Sequence, residues 1–330
     1  MEKNKIQPRK KILLEKTINN DYNNITGIIV LKNGETLYEN YFNGYTAIDT
    51  VHVASVTKSV FSALIGIAID NGYIKSIDQK VLDFFPEYTT KRGEKTIQSV
   101  TIKDMLTMTA PYKYKSEPYT KFFSSDNWMR AALDLLGGKG KIGEFMYSAI
   151  VGTHILSGIL VKSTGQSVLD FATENLFSPL EIKIGQNVVL HNKEEHLAFL
   201  KDKNVSGWVV DSQGINPAGW GLTLTPIDMA KIGQLYLDSG LWQGKQIIPK
   251  WWIAESTKEH SRWDEYELSY GYLWWIIDDE KQIYAALGDG GNVIYINRKK
   301  EIVVSIASLF MPRAKDRLKL IKEYIEPVFE

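Results

Sequence analysis

Three short segments hold residue types and spacings that could do chemistry. The first is Ser55-Val56-Thr57-Lys58. If a helix begins at Ser55, a spacing of three puts Lys58 on the same face, one turn further in. A helix N-terminus offers unpaired N–H groups and the positive end of the dipole. A serine placed there can attack a carbonyl while a backbone N–H receives the developing oxyanion. Its hydroxyl becomes a competent nucleophile once a base takes its proton. A lysine is that base if burial or a neighbouring cation lowers its pKa. The same residues also fit a plain serine N-cap followed by a solvated lysine, because a chain this long holds about one S-x-x-K by chance. The second segment is Tyr147-Ser148-Ala149, in FMYSAIVGTHILSGIL. A loop tyrosine just before a buried helix could share a proton with Ser55 if it lies close to Lys58. With 17 tyrosines in the chain, packing at a helix start fits equally well. The third is Gly288-Asp289-Gly290-Gly291, between two C-terminal apolar runs. Glycines let a backbone approach a ligand closely, and they also make ordinary hairpin turns.

The elements that must position these residues follow from periodicity. Ile12 to Ile18 has helical spacing. Thr26 to Leu31 and Glu35 to Tyr41 flank Asn33-Gly34, a strong hairpin signal. Val53 to Asp70 carries apolar residues at helical spacing, and Asn71-Gly72 supplies a stop. From about Lys75 to Val210 the pattern is helical, with Ile102 to Met108, Trp128 to Leu136, Thr153 to Ser163 and Val168 to Leu176 as examples. Leu222 to Leu241 is a further helical stretch. Leu268 to Ile277, Gln282 to Leu287, Asn292 to Asn297 and Glu301 to Leu309 read as consecutive strands. Their imperfect alternation suggests cover on both faces. Leu318, Ile321 and Ile325 give a closing helix one apolar face. With strands at both ends and helices between, the economical fold is α+β: one antiparallel sheet flanked by the terminal helices, plus an all-helical lobe. Residues 1–74 and 211–330 would form the sheet lobe and 75–210 the helical lobe, with a site in the cleft between them.

Composition narrows the classes. The chain has 330 residues, 39 basic and 39 acidic side chains, no cysteine and nine tryptophans. Without cysteine there is no disulfide framework, thiolate zinc site, iron–sulfur cluster or cysteine nucleophile. Formal neutrality argues against nucleic acid as a partner. The basic N-terminus has no apolar h-region and no window is long enough to span a bilayer, so a cytoplasmic protein is expected. His191 and His196, in HNKEEH, lack zinc-site spacing and read as a surface loop, and Gly137 to Lys141 lacks P-loop spacing. There is no G-x-S-x-G. His52 lies three residues before Ser55 on an extended approach and is a weak site candidate. Among Trp128, Trp208, Trp220 and Trp263, most are expected in the core. Trp220, in Gly219-Trp220-Gly221, is the candidate for a substrate wall.

Taken together and in this order, the segments resemble the penicillin-recognising serine hydrolase superfamily. They are closest to its class C β-lactamase-like branch, which includes many esterases of the family VIII type and the 6-aminohexanoate-dimer hydrolases. HVASVTKSVFSALIGIAID looks like the nucleophile helix of that family, and TIKDMLTMTAP like its "I-x-x-L-L-x-H-T-S-G" segment, with Met108 where histidine is common. FMYSAIVGTHILSGILVKSTGQS, NLFSPLEI, GWGLTLTPIDMAKIGQLYLDSG and YGYLWW are also similar to family phrases. The resemblance covers nearly the whole chain. It implies a β-lactamase/transpeptidase-like fold, a nucleophile at Ser55, an activating base at Lys58 and a partner base or acid at Tyr147. It also implies an oxyanion hole from the N–H groups of Ser55 and Asp289, with Gly288, Asp289 and Trp220 around the substrate. Metals and cofactors are not called for. Two departures matter. Ala149 stands where the family often has an asparagine. The third-motif stretch is Ala286-Leu287-Gly288, where no cation can hold a substrate carboxylate. That points away from an efficient β-lactamase and towards hydrolysis of small esters or amides, by a monomer or homodimer. The alternatives are a class C β-lactamase or D-Ala-D-Ala peptidase, or a non-catalytic penicillin-binding or sensor relative.

Overall fold

Asn33 and Gly34 both take positive φ, 50° and 76°. Two such residues in succession make the tight turn whose twist matches that of paired strands. Ile25–Lys32 (β1) and Glu35–Tyr41 (β2) accordingly form the expected hairpin. The remaining strands of the main sheet are Ser261–Trp263 (β3), Leu268–Tyr270 (β4), Trp275–Asp278 (β5), Ile283–Gly288 (β6), Asn292–Asn297 (β7) and Ile302–Ser308 (β8). In the computed structural model, which describes residues 8–329, β8 pairs with β1, so the two ends of the chain close one sheet. The eight strands run in the order β2-β1-β8-β7-β6-β5-β4-β3, and each pairing is antiparallel. The first seven residues, with Lys3 and Lys5 of the basic N-terminal segment, lie outside the described residues.

The imperfect alternation has the expected cause. In β7, Val293 and Tyr295 join a cluster with Leu14, Ile18, Leu320 and Ile325 of the terminal helices, while Ile294 and Ile296 face the main core. In β8, Ile302, Val304 and Ile306 take the first side, and Val303 and Ala307 the second. Period-two side-chain direction therefore delivers apolar residues to two buried layers. One layer is covered by Pro8–Asp21 (α1) and by the C-terminal helix, which begins at Arg317–Leu320 and runs through a π-turn to Phe329. On the other face lie Val56–Asp70 (α2) and, later in the chain, Pro226–Leu237 (α4), while Val151–Thr164 (α3) packs against α2. The core on that side runs without a break from the sheet into the helical middle of the chain.

Several boundaries differ from expectation. Leu268 to Ile277 is two strands, because the chain reverses at Gly271 to Trp274 with Leu273 at φ 61°. The edge strand β3 carried too short and polar a pattern to be seen. The helix expected from Val53 begins at Val56, since Val51–His52 pairs with Thr223–Leu224 and keeps the approach extended. The same pairing delays α4 to Pro226, where Thr225 and Asp228 form a capping box. Val168–Ala172 passes into a π-turn at Thr173–Phe177. The middle of the chain is not purely helical: Gln186–Val188 and Gly207–Val209 pair in parallel. His191 and His196 do not share a surface loop, because Lys193–Phe199 is a helix and His196 packs against Trp220.

Candidate active site

Ser55 occupies the N-cap position of α2, yet its side chain makes no capping bond. The plain N-cap reading fails there. Lys58 Nζ lies 2.8 Å from Ser55 Oγ and also donates to the Gly219 carbonyl at 3.0 Å. Lys58 is buried, 2 % exposed, as its place one turn into an apolar helix demands. Burial disfavours the ammonium form and lowers its pKa to about 8, against the opposing pull of Glu117 and Asp289. The entry to the helix is strained. Ala54 sits at φ 49°, a conformation that costs a non-glycine residue on the order of 1 kcal/mol. The following bonds run from Val56 N–H to Val53 O, Thr57 N–H to Ala54 O and Lys58 N–H to Ser55 O, so the ladder starts after the Ser55 N–H.

Tyr147 arrives from the loop ahead of α3. Lys58 Nζ stands 5.3 Å from the centre of its ring. Burial pushes the phenol well above its ordinary value, and the charges of Asp289 and Glu117 add to this against a hydrogen bond with Ser55. Tyr147 therefore holds its proton at neutral pH. Its ring lies near-parallel to those of Trp263 and Trp275, with centroids 6.3 and 5.7 Å away, and the three rings form one cluster. The loop is anchored by Glu117, which sequence reasoning missed. The Glu117 carboxylate accepts from Ser148 Oγ at 2.8 Å and from the N–H groups of Ala149, Ile150 and Val151 at 2.9, 3.0 and 2.7 Å. Those are donors that the start of α3 would otherwise leave unpaired. A lone glutamate 30 residues upstream carries no spacing that could announce this.

The glycine turn joins β6 to β7. Gly288 approaches the start of α2 so closely that a Cβ there would stand 3.2 Å from the nitrogens of both Ser55 and Val56 and collide with the Val53 carbonyl. This is the close backbone approach its glycine permits. Asn292, 1 % exposed, holds the turn. Its Nδ2 donates to Asp289 O at 3.0 Å and to His52 O at 3.3 Å, and its Oδ1 accepts from Ser308 N–H at 2.9 Å. Arg317, packed under Gly291, donates to Gly290 O at 3.3 Å from the other side.

Trp220 follows Gly219 but is 8 % exposed, within an aromatic group of His52, Phe123, Trp128 and His196. His52 is neutral: burial, with the charge of His196, lowers its pKa to about 3, and its Nε2 accepts from Gly221 N–H at 3.0 Å. Among the described residues no group of His, Asp or Glu could hold a metal ion, and no helix is long and apolar enough to cross a membrane.

Thus Ser55, Lys58, Tyr147, Gly288 and Asp289, spread over more than 230 positions, meet at one point. A serine hydroxyl beside a lysine of lowered pKa, with a protonated phenol and a closely approaching backbone turn, is an arrangement suited to acyl transfer. The chain is 24 % identical over 302 residues to the 6-aminohexanoate-dimer hydrolase of Paenarthrobacter ureafaciens, covering 85 % of this chain and 71 % of that protein. Its fold superposes on a family VIII carboxylesterase with a TM-score of 0.68 at 16 % identity, covering 97 % of both chains. A D-stereospecific amidohydrolase from Streptomyces gives a TM-score of 0.71 at 14 % identity, with 96 % of this chain and 98 % of that chain covered. Residues 22–326 match the sequence pattern of the Beta-lactamase family, and the chain belongs to that family.

Proposed function

We propose that the protein is a serine hydrolase of esters or small amides that works through an acyl-enzyme on Ser55. The observation that carries this reading is the buried Lys58 amine 2.8 Å from Ser55 Oγ. With Lys58 neutral, the Ser55 hydroxyl donates to its nitrogen. As Ser55 Oγ bonds to the substrate carbonyl carbon, Lys58 takes the hydroxyl proton. The N–H groups of Ser55 and Asp289 receive the oxyanion. Collapse of the tetrahedral species breaks the bond to the leaving group, which regains a proton from Lys58 through the Tyr147 phenol. Lys58 then takes a proton from water along the same path as the water oxygen bonds to the acyl carbon; the bond to Ser55 Oγ breaks, the carboxylic acid leaves and Lys58 returns the proton to Ser55 Oγ. Trp220 and the rings around Tyr147 serve as apolar walls. Ala286 is buried and uncharged where a cation would hold a carboxylate, which favours esters and small amides over β-lactams and D-Ala-D-Ala peptides.

The test is intact mass after incubation with a fluorophosphonate and, separately, with a penicillin. The wild type is expected to take one phosphonyl group, Ser55→Ala none, and penicillin is expected to add slowly or not at all. Absence of any adduct would move the protein to the non-catalytic relatives. Rapid penicillin turnover would restore the β-lactamase reading.

A further inference from the structure

The charges that reach the Ser55 centre are unbalanced. Lys58 feels Glu117 and Asp289, the Tyr147 phenol feels the same two carboxylates, and so does the phenol of Tyr119. The two acids differ in what they are free to do. Glu117 is engaged by Ser148 Oγ and three N–H groups at the start of α3. Asp289 is exposed, and among the described residues its carboxylate accepts no hydrogen bond and meets no cation within ion-pair distance. Its place is nonetheless defined. It follows Gly288, which abuts the Ser55 nitrogen, and its own carbonyl is held by Asn292. The backbone that carries this carboxylate is thus held against the start of α2 at Ser55, and the stacked rings of Tyr147, Trp263 and Trp275 belong to the same site. Unpaired carboxylates and aromatic faces both attract a cation, and the carboxylate repels an anion.

We propose that this site selects ester or amide substrates bearing a positive charge, an ammonium or quaternary ammonium, and that Asp289 is the residue that reads it. The proposal rests on Ser55 as nucleophile. Two isosteric pairs test it. The first varies the leaving group: acetylthiocholine against 3,3-dimethylbutyl thioacetate. The second varies the acyl group: the p-nitrophenyl esters of 4-(trimethylammonio)butanoate and 5,5-dimethylhexanoate. The members of each pair differ in charge and hardly in shape. In at least one pair, wild-type kcat/KM is expected to be on the order of tenfold higher for the cation at low salt, with the gap narrowing near 0.5 M salt. In Asp289→Asn the ratio within that pair is expected to fall to about one. A ratio taken within one variant cancels any change in the chemistry common to both substrates. Ratios of one or below in both pairs, in a protein that still forms the Ser55 adduct, overturn the selectivity while leaving the hydrolase intact. A ratio that survives Asp289→Asn removes Asp289 from the role. Loss of the fluorophosphonate adduct itself overturns the hydrolase reading and the selectivity with it.

Discussion

Lys58 must be neutral to take a proton from Ser55, and its environment sets how often that is so. A pKa of about 8 leaves about a tenth of the molecules with a free amine at pH 7. Acylation is therefore expected to rise through pH 8 and level off above about pH 9, measured as kcat/KM for a neutral p-nitrophenyl ester or as the rate of fluorophosphonate labelling. Asp289 favours the charged amine, so Asp289→Asn is expected to move the midpoint to lower pH. A midpoint that stays put would mean the profile belongs to another group. Lys58→Met is expected to cost on the order of 10² to 10⁴ in labelling rate. Tyr147 cannot substitute as a base, because burial keeps its phenol protonated far beyond neutral pH.

At the scale of elements, the site hangs on three chain reversals: the strained entry to α2, the Tyr147 loop ahead of α3, and the glycine turn between β6 and β7. Each is tied down by one side chain or close contact rather than by length. The middle reversal depends on Glu117, whose carboxylate satisfies a hydroxyl and three helix-start N–H groups. Charge-assisted bonds of this kind are strong, and their removal leaves donors unpaired. Glu117→Ala is expected to destabilise the protein by about 2–4 kcal/mol in urea unfolding, with Glu117→Gln costing less because one acceptor oxygen remains. Equal stability of wild type and Glu117→Ala would show that the cap is replaced by solvent.

For the molecule as a whole, folding buries a neutral histidine, His52, against Phe199 and Trp220. The folded pKa of His52, about 3, lies below its unfolded value of 6.5. Its contribution to stability is therefore present above pH 6.5 and lost as pH falls from there towards 3. The wild type is expected to lose on the order of a few kcal/mol over this range. His52→Asn, which keeps an acceptor for Gly221, is expected to lose less between pH 7.5 and 4.5 in chemical unfolding. The order of strands and helices was legible because apolar periodicity is local, and so was the hairpin at Asn33-Gly34. Short polar elements such as Ser261–Trp263 were not, because their pairing partners supply what their own residues do not declare. The Ser55–Lys58 contact was legible for the same local reason: a spacing of three on a helix needs no distant partner. What tertiary structure alone decided is the chemistry of that contact. The low pKa of Lys58 comes from burial, its second hydrogen bond from Gly219, and the anchor of Tyr147 from Glu117. An amine's basicity depends on the water and charge around it, and those are set by residues far away in the chain that only folding brings near.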